Sequence, residues 1–195
     1  MQPKIPSPKQ NAHHMALGMY SSWDALRKLE WEISVYKSVM DSKGPASDAL
    51  SLDIRKPMYA AINASITGWH LVEWLWYEIE GMPKCKACFL EMLKLPENSG
   101  LSQVKGEIRR IPEFDAAHQI AHASKHSHLE KITIGFSTPV FINFWERDDE
   151  ASLNQTAHIR LEHDGVISEQ TIYSFLNTLH RWWKHMLVTL EVPEK

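Results

Sequence analysis

The sequence predicts a mainly α protein of α+β type: a helical bundle with a small antiparallel β-sheet inserted before the C-terminal helix. Three observations predict it. Apolar residues recur at helical spacing through most of the first 128 positions. Between about 130 and 163, segments such as "KITIGFSTPVFINFWE" and "QTAHIRLEHDGV" are β-branched, aromatic and partly alternating, as strands are. After Asp164-Gly165, a turn dipeptide, the helical period returns to the chain end.

The elements follow in order. "MQPKIPSPKQ" opens a Pro- and Lys-bearing arm, so residues 1–14 are expected to be flexible and 15–195 to form one domain. The first helix is expected from about Met15 to Met40, with Trp23, Leu26, Leu29, Ile33, Tyr36 and Met40 on one face. Gly44-Pro45 cannot continue it. A second helix is expected from Pro57 to Gly81. It is apolar on most faces and therefore central. A short third helix covers Pro83 to Leu95, and "PENSG" is a loop. A further helix, with a break at Pro112, is expected to run to about His128. The closing helix starts at Ser168 as N-cap and lines up Ile172, Phe175, Leu179, Trp182 and Met186.

Composition excludes several classes. A chain of 195 residues that is 44% hydrophobic and 23% charged can bury a core of its own. A net charge of −3 gives no general attraction to nucleic acid or an anionic membrane. No apolar run is long enough to span a bilayer. The opening has no apolar stretch of the secretory type, and with two cysteines the expectation is a reducing cytoplasm. Of the eight tryptophans, Trp69, Trp74, Trp76, Trp182 and Trp183 read first as core rings and second as a groove lining.

"DAAHQIAHASKHSHLE", residues 115–130, holds four of the eleven histidines. On a helix, His118 and His122 share a face one turn apart, and two such imidazoles can hold one metal ion. Further ligands would come from the second helix, where His70 and Glu73 lie one turn apart. His70, His118 and His122, with Glu73, make a sensible donor set for zinc, nickel, iron or manganese in a bundle core. The competing reading is a set of structural histidines satisfied by carbonyls and carboxylates. Chance spacing is easy in so histidine-rich a chain, and this reading is the stronger one. Lys125 beside His126 suits a phosphate or a charge–base pair; a solvated helix end explains it equally. Cys85-x-x-Cys88 is half of a zinc motif or a redox pair, against two small half-buried thiols. Glycine-rich phosphate loops and nucleophile-elbow motifs are absent from the sequence.

Trp69, His70, Glu73 and Trp74 in "NASITGWHLVEW", together with Ala121, Ser124, Lys125 and His126 in "AHASKH", resemble an uncharacterised bacterial helical family. That family carries a W-H-x-x-[DE]-W helix and a later A-N-x-[ST]-K-H helix, closed by a short sheet and a Trp-bearing helix. The resemblance covers most of residues 55–190. Position 122 departs from it, with His where the family pattern has Asn. The resemblance implies a bundle with a polar site on His70, Glu73, Lys125 and His126, and no reaction. Two looser resemblances exist. One is to HEPN-type bundles of RNA-acting toxins and defence ribonucleases, although the Arg181–His185 spacing is too short for their motif. The other is to DinB-like metal bundles, whose layout His70, His118 and His122 follow.

These readings converge on a cytosolic interaction or regulatory module with a buried His/Glu/Lys site, acting on a protein partner or as a homodimer. The alternatives are a metal-dependent hydrolase or transferase and a HEPN-like RNA-acting component.

Overall fold

A computed structural model of the chain describes residues 19–41, 55–125, 141–145, 156–163 and 165–194. The elements are α1 (Ser22–Asp41), α2 (Arg55–Ile79), α3 (Pro83–Met92), α4 (Leu101–Ile108), α5 (Pro112–Lys125), β1 (Phe141–Trp145), β2 (Thr156–His163), β3 (Val166–Thr171) and α6 (Ile172–Thr189). The protein is mainly α, with a small antiparallel sheet before its last helix. The arm expected at residues 1–14 lies outside the described residues.

Helix α1 begins at Ser22 rather than Met15, because a polar cap sits there. The Ser21 hydroxyl accepts from the Asp24 N–H at 3.2 Å, and the Asp24 carboxylate accepts from the Tyr20 N–H at 2.9 Å. Leu26, Leu29, Ile33 and Tyr36 are buried as their spacing predicts, while Trp23 and Met40 pack at the margin. Helix α2 is the central element. It packs against α1, α5 and α6, and the short α3 and α4 lean on it. Leu71, Val72, Leu75 and Ile79 are fully buried along it. A lysine clasp joins α1 to α2: the Lys28 ammonium donates to Glu32 and to the Thr67 hydroxyl, each at 2.5 Å.

Helix α3 stops at Met92, not Leu95. Lys94 takes a left-handed φ of 55°, which closes the helix before "PENSG". The expected helix up to His128 is two helices. Pro112 has no N–H to donate, and the Ile111 carbonyl instead accepts from Phe114 and Asp115, both at 3.0 Å, starting α5 afresh. His126 and His128 lie outside the described residues.

The sheet has the order β1-β2-β3, antiparallel throughout, with Phe141 opposite Arg160 and His158 opposite Thr171. Gly165, at φ +76°, supplies the left-handed residue in the β2–β3 turn. Strand β2 turns Ile159 and Leu161 onto the bundle, both 1% exposed, where α5 and α6 receive it. One expectation is corrected here. Ser168 is not the cap of the last helix: "SEQT" completes β3 by pairing with β2, and Thr171 caps α6 by accepting from the Ser174 N–H at 3.0 Å. The sheet therefore runs past residue 163 to Thr171. Ladder hydrogen bonds to β2 outweigh the helical preference of Glu169 and Gln170.

Candidate functional site

The polar residues of the bundle gather where α2, α4 and α5 meet. Their positions follow from local structure. On α2, Gly68, Trp69, His70, Glu73 and Trp74 occupy successive turns of one motif, and each does a different job. Gly68 lies against α6: a Cβ there would meet Leu179 Cδ1 at 3.0 Å, and the Trp183 indole N–H donates to the Gly68 carbonyl at 2.7 Å. Trp69 is buried and meets His118 of α5 edge to face, with ring centroids 4.7 Å apart. Trp74 and Trp182 pack half-buried on the core, while Trp76 and Trp183 lie inside it. These five tryptophans lie in or against the core, as their commonest reading has it.

His70 and Glu73 face the polar side. The His70 Nδ1 and Glu73 Oε2 are 3.2 Å apart, and the Lys105 ammonium of α4 donates to Glu73 Oε1. The two partners hold the Glu73 carboxyl down at about pKa 2: first the hydrogen bond from His70, then the hydrogen bond and charge of Lys105, against a burial cost that acts the other way. A second pair lies beside it. Asp115, 1% exposed, accepts from Arg109 Nε at 2.7 Å and from Gln119 Nε2 at 2.8 Å. Both carboxylate oxygens of this buried group are thereby used.

His118, one turn after Asp115 on α5, lies within reach of the charges of Arg109, Asp115 and Lys105. Its Nδ1 is buried and has no hydrogen-bond partner among the described residues. Burial, followed by the positive charge of Arg109, lowers its pKa to about 4, with Asp115 opposing. It is a neutral imidazole at pH 7. The His118 and His122 rings lie 6.2 Å apart at 41°; His122 is exposed.

The structure thus pairs His70 with Glu73, and His118 with His122. Among the described residues, no three His, Cys, Asp or Glu side chains form a group that could hold a metal ion, so His70, His118 and His122 do not gather as a trio there. His126 and the Lys125 side chain are outside the described residues. The lysine found at Glu73 is Lys105, which sequence reasoning passed over, as it did Arg109 and Asp115. A signal existed for Asp115: an acidic residue between Phe114 and Ala116-Ala117 falls on the apolar face of its helix and needs a partner. Arg109, the residue that closes α4 one turn after Lys105, is that partner. Among the described residues, no helix is long and apolar enough to cross a membrane. Comparison with family models, with curated proteins and with solved structures returns no match for this chain.

Proposed function

We propose that the protein is an interaction or regulatory module of the cytosol, in which the polar junction of α2, α4 and α5 sets the register of those helices. The observation that carries this reading is the double engagement of Glu73, which holds His70 of its own helix and Lys105 of α4 together. Asp115 repeats the pattern with Arg109 and Gln119. Charges used in this way fix helix alignment, and a half-satisfied network is costly, so the junction responds to anything that removes one member. Trp31 on α1, 64% exposed, is the kind of ring that anchors a protein partner or a second copy of the chain.

The test is a Glu73→Gln variant followed by amide exchange. Faster exchange confined to α4 and the start of α5, with the remaining helices still protected, is the expected result. Uniform exchange across the bundle would overturn the register role.

One observation favours a second reading. The neutral His118, whose Nδ1 has no partner among the described residues, with His122 one turn on, suits a metal-dependent hydrolase or transferase of DinB-like layout, using zinc, nickel, iron or manganese. Elemental analysis of protein purified without a metal-affinity tag separates the readings. One equivalent of such a metal, lost in His118→Ala, establishes the metal enzyme. RNA cleavage abolished in His126→Ala establishes the HEPN-like alternative. Neither outcome is expected for a module.

A further inference from the structure

Away from the polar junction, the start of α3 carries the protein's two thiols. Cys85 and Cys88 are both free and half-buried, and both pack against the apolar core. Pro83 stands at the head of this helix, so Cys85 lies in its first turn and Cys88 one turn on, on the same face. The Cys85 thiol donates to the Leu190 carbonyl at 3.3 Å. Leu190 closes α6. After it Glu191 turns left-handed, at φ 51°, and the chain end runs back to α1. There the Trp23 indole N–H donates to the Val192 carbonyl at 2.8 Å, and Arg27 pairs with Glu194 at 2.7 Å. Among the described residues, Cys85 is therefore one of three side-chain ties on the segment 190–194, whose backbone N–H groups at Leu190, Glu191 and Val192 also bond carbonyls of α6.

Three chemistries compete for such a pair, and helix geometry separates them. Residues three apart on a helix have Cβ atoms ~5–6 Å apart. A disulfide needs them at about 3.5–4.5 Å, so closing one would distort the first turns of α3 and give a strained, readily reduced bond. Structural zinc needs four donors, and the described residues offer no group of even three. A soft monovalent ion is satisfied by two thiolates in a near-linear bridge, which spans a wider gap than a disulfide and leaves the helix intact. Thiolates also select Cu(I) over the harder divalent ions.

We propose that Cys85 and Cys88 form a two-coordinate site for a soft monovalent cation, Cu(I) in chemical class, and that loading it loosens residues 190–194. On binding, two S–H bonds break, two S–Cu bonds form and two protons leave to solvent. No electron is transferred. With its proton gone, the Cys85 sulfur no longer donates to the Leu190 carbonyl, so residues 190–194 lose one of their three side-chain ties while their backbone bonds to α6 stay in place.

The experiment is an anaerobic competition for Cu(I) against a chromophoric chelator such as bicinchoninate. The full chain is expected to withdraw one equivalent, with an apparent affinity that rises about a hundredfold per pH unit while both thiols are protonated, as two released protons require. Cys85→Ser and Cys88→Ser should each lose at least tenfold in affinity. Amide exchange at residues 190–192 should quicken in the loaded protein. Because a serine variant could misfold, a wild-type readout runs beside it: Cu(I) should protect both thiols from alkylation by iodoacetamide. Retained affinity in either serine variant, protection of one thiol only, or closure to a disulfide by glutathione disulfide without copper uptake would each overturn the proposal.

Discussion

The indole N–H of Trp183 donates to the carbonyl of Gly68 at 2.7 Å, so the closing helix is hydrogen-bonded to the backbone of the central one. Leu179, one turn earlier on α6, lies where a Gly68 side chain would go. The contact explains why a glycine stands in the middle of the longest helix, where it costs ~1 kcal/mol in helical preference. Alanine at 68 would regain that amount but press on Leu179, which is fully buried and has little room to yield. Overpacking of this kind costs roughly 1–3 kcal/mol. Gly68→Ala is expected to be net destabilising in urea unfolding and Gly68→Val far more so. Trp183→Phe, which removes the donor and leaves a smaller ring at a fully buried position, should lose more than the ~1 kcal/mol of the hydrogen bond alone.

His118 makes stability depend on mildly acidic pH. Its pKa is about 4 in the folded protein, against an ordinary value of 6.5. Between those values the unfolded chain binds a proton that the folded chain does not, so stability falls as pH drops from 6.5 to 4 and this contribution levels off below. The loss is on the order of 2 kcal/mol. In His118→Phe the slope of stability between pH 6.5 and 4 should flatten; an unchanged slope would remove His118 as its source.

Glu73 acts in a separate window. Its pKa is depressed from 4.5 to about 2, so its contribution is present in full above 4.5 and is lost as pH falls toward 2. A third of the side chain remains exposed, and solvent screening keeps the effect to about 1 kcal/mol. In a pH series of thermal melts Glu73→Gln should abolish this acid step, and Lys105→Met, which leaves the His70 bond in place, should reduce it. The double variant should cost less than the sum of the two, because the partners are coupled.

Asp115 is the more costly residue to remove. Replacing it with alanine leaves the Arg109 guanidinium and the Gln119 amide facing a void at a buried position. The expected loss is ~2–3 kcal/mol in denaturant midpoint experiments. A loss below 0.5 kcal/mol would show that the pair carries no structural weight.

Two substitutions test the boundary between sheet and closing helix. Thr171→Ala removes the cap of α6 and should cost about 0.5–2 kcal/mol. Ser168→Ala touches only an exposed position of β3 and should be close to neutral. The reverse ranking would return the helix start to Ser168.

The motif "GWHLVEW" shows how far sequence reading reached. Its helical period, and the lack of any polar face on most of α2, made that helix central, and the shift to alternation after residue 130 announced a sheet. Both are local signals, carried by residues a few positions apart. The same logic placed Trp69, Trp74, Trp76, Trp182 and Trp183 in or against the core, since rings of that size are seldom left in water. Helix ends were less legible. The reciprocal Ser21–Asp24 cap and the pairing of "SEQT" with β2 are decided by capping and cross-strand hydrogen bonds that periodicity does not register.

The amino-acid order by itself determined the class of fold, the central helix and the pairing of His70 with Glu73, because each rests on spacing along one element. Tertiary structure alone decided that Lys105 is the cation on Glu73, that Arg109 is the partner of Asp115, and that His118 is buried beside Trp69. Those contacts join α2, α4 and α5 across loops, and which of several lysines reaches a carboxylate depends on how the helices cross. The charge of a residue is written in the chain, but its environment is made only when distant helices close over it.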